Sequence, residues 1–418
     1  MTLKRGATPG NVAAIVAAVG LAAGAAAVAV PALASAAHHP GTVSVRSASA
    51  GPAAAPPAAR ELLGVSCVTA RNCLAVGIDH NALKGAGGPL AETWNGTTWR
   101  NVGVRLPPGA TTGILSGVSC VSAERCVAVG SSYDKASGKN FALAGTWNGR
   151  AWTPVQLPGP GGADASLSGV SCKSAASCVA VGSSVSGGPA VPLAEIWDGK
   201  RWTQTRPPAS GGGLTISDLG AVSCASPARC VAVSVSEGPP VAVIESWNGR
   251  VWSMRKGTGL PGDLGAVLAG VSCPSAGDCA AVGFSMFATA TAGLSMIWNG
   301  TSWQVPSVPL PGGGTSGSHL DGVSCAAVNR CVAVGSIESY PTGTSTAAAV
   351  TWNGRAWTAT RVPAPGKGKA SLFTDVTCPT ATDCVAVGQA SPARSANGAG
   401  TALSGFWNGK IWRLVAAK

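Results

Sequence analysis

Charge is scarce in this chain. Asp, Glu, Lys and Arg make up only 11% of 418 residues, and there are just four His, two Tyr and five Phe. Gly-x-Ser-x-Gly, His-Glu-x-x-His, a P-loop and an EF-hand loop are all missing. Their absence removes the usual signatures of serine hydrolases, zinc proteases, nucleotide enzymes and calcium sites. A zinc site of two cysteines and two histidines is also poorly supplied, since two of the four histidines, His38 and His39, fall in an Ala/Pro-rich stretch. With 58 Gly and 29 Pro the composition approaches low complexity. Regularly placed Val, Leu and Trp nevertheless supply a core.

What the chain does have is a repeat. Gly117-Val-Ser-Cys120, five residues, Cys126-Val-Ala-Val-Gly130, a variable run and Ala144-Gly-Thr-Trp147-Asn-Gly-Arg-Ala-Trp152 form a unit that recurs seven times. All 14 Cys and all 14 Trp fall in these copies, two of each per copy, at a period of 49 to 53 residues. A fixed period of this size signals a propeller or another repeat array.

Each copy holds four short strand candidates. Gly117-Val-Ser-Cys120 and Cys126-Val-Ala-Val-Gly130 read as a hairpin. The third strand ends at Trp147 and the fourth carries Trp152. With Asn148-Gly149 as the two central residues of a tight turn, Trp147 would face Arg150, and the two indoles would lie diagonally on one sheet face. Four antiparallel strands in seven units predict an all-β, seven-bladed propeller. An open solenoid is the alternative, but its end copies usually carry atypical caps, and here the first and last copies keep the full motif.

The order of hydrophobic strand, strand ending in Gly, aromatic before a turn, Trp, then Leu106-Pro107 or Leu157-Pro158 resembles a kelch blade. Kelch repeats carry a double Gly where this chain has Gly77-Ile78 or Gly130-Ser131, and Tyr-Asp where it has Trp94-Asn95. The resemblance implies a fold and no catalytic residue. A sialidase-type Asp-box is matched only at Gly149-Arg-Ala-Trp152, with Trp147 where the Asp would stand.

Lys4 and Arg5, an apolar Ala-rich run from Val12 to Ala34, and the small-x-small sites Ala32-Leu33-Ala34 and Ala34-Ser35-Ala36 read as an export signal over residues 1–36. The run also approaches the length of an uncleaved membrane anchor. Residues 37–60 read as a flexible Ala/Pro-rich linker, in which Thr42 to Val45 would be a weak extra strand. The propeller is expected over 61–418, with repeats near 61–106, 107–158, 159–209, 210–259, 260–309, 310–364 and 365–418.

Export places the cysteines in an oxidising compartment. Cysteines flanking a five-residue hairpin loop are cross-strand neighbours. The expected disulfides are Cys67 with Cys73, Cys120 with Cys126, Cys172 with Cys178, Cys224 with Cys230, Cys273 with Cys279, Cys325 with Cys331, and Cys378 with Cys384. No metal or cofactor is expected.

Strand order puts the Cys loops and Asn-Gly turns on one short-loop face, and the long, variable loops on the other. Eleven basic residues fall on the short-loop face against four acidic ones. Arg150, Lys200, Arg201, Arg250, Arg355 and Lys410 form the turn set, a candidate binding face for anionic polymers. Solubility, or stacking of Arg on a neighbouring Trp, is the plainer account. The variable face offers Tyr133, Asp134, Phe287, His319, Asp321 and Tyr340, with Asp79, His80, Phe284 and Glu338 nearby in sequence. Each alone reads more simply as a solvated loop residue. A glycosidase would need two flanking carboxylates whose separation the sequence does not give.

The balance of motifs points to an exported, non-catalytic binding or scaffold module of the cell envelope, for glycans or anionic wall polymers. A glycosidase- or sialidase-like enzyme and a protein-interaction scaffold are the alternatives. A monomer is expected, without nucleic acid, and with membrane contact only through the N-terminal segment if that stays uncleaved.

Overall fold

The alternation of Val, Ala and Cys in the second strand of each copy buries nearly every residue of it. Cys126, Val127, Ala128 and Val129 are all 6% exposed or less. A strand buried on both faces needs a sheet on each side. A ring of sheets provides that for every copy. The computed structural model describes residues 59–80, 87–237, 240–310, 316–340, 342–392 and 400–416. These form seven four-stranded antiparallel sheets in consecutive order. The first blade comprises Arg60–Thr69, Asn72–Asp79, Gly88–Trp94 and Trp99–Asn101, and the seventh ends with Trp412–Ala416. The first strands of neighbouring blades pack against each other around the axis, and those of blades 7 and 1 also meet. The fold is a closed seven-bladed propeller. The expected signal and the linker up to residue 58 lie outside the described residues, and the first strand starts at Arg60.

The core is a set of layers between blades. Leu62, Leu90 and Trp94 of blade 1 pack on Val385, Val387 and Ala402 of blade 7. Trp247 and Trp252 of blade 4 pack on Val179, Val181 and Ala194 of blade 3. The Trp-bearing face of a blade therefore covers the blade before it. Trp247→Ala should cost ~3–5 kcal/mol, read as a lowered urea midpoint. A variant that kept its stability would contradict the packing role.

Around the axis runs a belt that the Val-Ser-Cys motif builds. The Cys120 amide donates to Ser66 Oγ of the previous blade at 2.9 Å, and the next five blades repeat the contact at 2.9–3.0 Å. The closing contact uses Thr377, whose Oγ1 accepts from the Cys67 amide at 3.4 Å. Asp375 and Thr374 add to this seam: Asp375 Oδ2 accepts from the Val65 amide at 2.9 Å and Thr374 Oγ1 donates to the Leu62 carbonyl at 2.8 Å.

The Gly within the second strand, Gly130 of Arg125–Asp134, answers a bulge in the first. Ser116 is left unpaired between Leu115 and Gly117, which pushes the backbone towards Gly130. A Cβ on Gly130 would overlap the Ile114 carbonyl. Blade 4 has Ser234 there instead. Its first strand begins only at Ala221, its register shift falls after Cys224 rather than opposite Ser234, and Ser234 Oγ donates to the Asp218 carbonyl.

The hairpin register differs from expectation. Trp147 faces Trp152 directly, and the same pairing holds in all seven blades. The Asn148 amide donates to the Ala151 carbonyl at 3.3 Å. Asn148 Oδ1 takes the Arg150 and Ala151 amides at 3.0 and 2.9 Å. Side-chain capture of those amides moves the turn centre one residue on, to Gly149-Arg150. Gly149 then carries the positive φ of 88°.

Candidate functional site

The short-loop face is assembled from one repeated rung. Cys120, Cys126, Trp147 and Trp152 lie side by side across the four strands. All seven expected disulfides are formed, with Cα atoms 3.9–4.1 Å apart. The paired indoles touch with centroids 5.4–5.6 Å apart. Several indole N–H groups are also committed, Trp147 Nε1 to the Ala123 carbonyl of its own Cys loop and Trp252 Nε1 to Thr205 Oγ1 of the previous blade. The tryptophans are core. Trp197 and Trp298 are half-buried where full burial was expected. Beside Trp197 a groove of about 330 Å³ opens between blades 2 and 3, lined by Glu124, Arg125 and Asn148.

On this base the turns present Arg150, Lys200, Arg201, Arg250, Arg355 and Lys410, all exposed. Their backbones are held in place. The amides of Arg250, Arg355 and Lys410 donate to Asn248, Asn353 and Asn408 Oδ1 at 2.9–3.0 Å. The acids of this face are partly occupied. Asp198 takes the Lys200 and Arg201 amides at 2.8 and 2.9 Å, and these bonds, the Arg201 amide first, hold its carboxyl below the usual range. Asp278 and Asp383 bond Ser275 and Thr380 within their own loops. Among the described residues the turn cations form one ion pair, Arg201 with Asp198 at 3.7 Å.

The variable face scatters the other candidates. Tyr133 is exposed, and Asp134 caps its own loop, with Oδ1 accepting the Ala136 and Ser137 amides at 2.8 and 2.9 Å. Phe287 sits half-buried in a turn closed by its amide on the Ala290 carbonyl. Arg60 pairs with Asp79 at 2.9 Å, and His80 lies 4.0 Å from Glu61.

His319 and Tyr340 do converge, through a residue that sequence reasoning missed. Thr291 of blade 5 donates its amide to Tyr340 Oη at 3.1 Å, and its Oγ1 lies 3.2 Å from the same atom. Thr291 Oγ1 is also 2.8 Å from His319 Nε2. His319 stacks on Phe284 with centroids 4.3 Å apart. Burial lowers the His319 pKa, against the opposing pull of Glu338. With the imidazole neutral and its proton on Nδ1, hydrogen bonds run one way, from the Thr291 amide through Tyr340 and Thr291 Oγ1 to Nε2. Asp321 occupies the bulge of the first strand of blade 6, and burial followed by Glu338 pushes its pKa up to about 7. Thr291 and Tyr340 are one repeat apart, so only the ring closure of neighbouring copies could have suggested the pair.

Three further acids went unread. Glu92, Glu195 and Glu245 each stand two residues before the first Trp of a blade and are 0–4% exposed. The strand alternation that buries the Trp buries them too.

No protein-family model matches the chain, and no curated protein matches it either. Solved structures show the fold. The chain is similar to a GH74 xyloglucanase from Xanthomonas campestris at 12% identity and a TM-score of 0.53, covering 85% of this chain and 54% of that one. It is also similar to YCF48 bound to a D1 peptide, at 14% identity and TM-score 0.47, over 79% of this chain and 91% of the other. Sqt1 of Chaetomium thermophilum, bound to the N-terminus of ribosomal protein L10, gives 10% identity and TM-score 0.45 over 85% and 89%. At 12% identity the likeness to the xyloglucanase concerns the fold alone.

Proposed function

We propose that this propeller is an exported, non-catalytic docking ring of the cell envelope, whose short-loop face binds anionic wall polymers or headgroups. The observation that carries this reading is the set of exposed turn cations on clamped backbones. Arg150, Arg250, Arg355 and Lys410 spend only their backbone amides on the turn and leave their charged groups to solvent. The same cation position recurs around a ring, so weak contacts to a repetitive polyanion would add. Seven disulfides fit an oxidising compartment outside the cytoplasm, and Lys4, Arg5 and the apolar run after them fit export.

The test is retention on isolated cell envelopes across a salt series. Attraction between exposed charges weakens as the Debye length shrinks to about 10 Å near 0.1 M salt. The variant with Arg150, Arg250, Arg355 and Lys410 changed to Gln should elute at clearly lower salt than wild type. Equal retention of the two proteins would overturn the proposal.

A further inference from the structure

We infer that the seam between blades 5 and 6 on the variable face is a subsite for a neutral, hydroxyl-rich ligand, a pyranose ring of an oligosaccharide, with Tyr340 as its stacking platform. This goes beyond the basic face and lies at the opposite end of the blades. Tyr340 is 40% exposed although its hydroxyl is tied to Thr291 of the neighbouring blade. With that end fixed, the exposed residue is held in place across the seam. An untethered surface Tyr must lose rotamer freedom when a ligand stacks on it, whereas this one is already ordered.

The ledge under it is rigid. Thr291 is 5% exposed and Phe284 2%. A Cβ on Gly317 would collide with both the Tyr340 hydroxyl and Thr291 Oγ1. Gly293 of blade 5 donates its amide to Ser318 Oγ of blade 6 at 3.0 Å, which pins the seam below.

The chemistry around the platform suits sugar hydroxyls. The ring offers an apolar face to C–H groups. His319 bonds the cluster through Nε2, and among the described residues Nδ1 stands as a further hydrogen-bonding atom. Glu338 lies opposite Gly317 on the strand paired with the one that carries His319 and Asp321, so a carboxyl group of the same hairpin stands beside the cluster. A carboxylate such as that of Glu338 accepts hydrogen bonds from hydroxyls and repels anions, which selects a neutral ring over the polyanions proposed for the other face.

Isothermal titration of the disulfide-intact protein with cello-, xylo- and chito-oligosaccharides tests this. At least one series should bind. Tyr340→Ala should weaken that binding about tenfold, and Tyr340→Phe, which keeps the ring and loses the tether, about threefold. The four-site Gln variant of the basic face should bind the sugar as wild type does. Absence of binding in every series, or undiminished binding by Tyr340→Ala, would overturn the inference and leave the basic-face reading standing. Sugar binding lost in the Gln variant would overturn it as well, by moving recognition to the other face.

Discussion

Stability should fall as pH rises from about 4.5 to 8, the reverse of the acid lability common in domains with paired carboxylates. Glu245 is 0% exposed, and neither of its carboxyl oxygens has a hydrogen-bond partner. Burial pushes its pKa from 4.5 up to about 8. Burial likewise raises Glu195 to about 7, and Asp375 to about 7 against the Val65 and Val376 amides that pull it down. The folded ring holds these protons where the unfolded chain releases them. The stabilisation is therefore complete below the unfolded pKa and is lost as pH climbs through the folded one. Each tenfold difference in proton affinity is worth ~1.4 kcal/mol, so Glu245 alone accounts for a few kcal/mol. Glu245→Met is the informative variant, because Met296 stands at the same place in blade 5 and is fully buried. Its urea stability should match wild type within ~1 kcal/mol at pH 4.5 and exceed it by ~3 kcal/mol at pH 8. Parallel pH curves for the two proteins would refute the assignment.

Reduction of the protein at 37 °C should abolish the tertiary signal of its tryptophans. Each bridge closes a hairpin between cysteines six apart in sequence. A loop that short is worth only ~2 kcal/mol on the chain-entropy view. Seven such terms reach the order of 10 kcal/mol, comparable with the total stability of a domain. Alkylation without reductant, read by mass spectrometry, should find no free thiol. Treatment with dithiothreitol should free all 14 and collapse the near-ultraviolet circular dichroism. A reduced protein melting within a few degrees of the oxidised one would sink the claim, as would 14 thiols found free at the outset.

Much of the architecture was legible because the repeat states it seven times. The Cys spacing fixed the hairpin and its disulfide, and the two Trp per copy fixed an interblade face. What stayed hidden depends on contacts between copies or on side chains competing with backbone. Asn148 takes amides that a two-residue turn would have paired, which moves the register by one residue. The Ser of Val-Ser-Cys looks like an ordinary strand residue until its hydroxyl meets the Cys amide of the following blade. Glu245 was readable by alternation from Trp247, but a carboxylate before an aromatic suggests the surface. The site candidates were the least legible. Tyr340 and His319 were named singly, and Thr291, which joins them, carries no motif.

Each blade is made of four strands consecutive in the chain, and the seam between blades 7 and 1 is closed by side chains and backbone contacts rather than by a shared strand. The Arg60 amide meets the Gly400 carbonyl at 3.0 Å across that seam. The inner strand of blade 1 therefore packs on blade 7 as each later inner strand packs on the blade before it. Only the side chains of Thr374, Asp375 and Thr377 set that seam apart from the other six. A circularly permuted gene, joined from residue 416 to residue 60 by a connector and opened between any other two blades, would encode the same rungs, belt and core. The same property makes a blade the natural unit of inheritance: copying one whole unit inserts a complete set of contacts, whereas cutting within a unit breaks two.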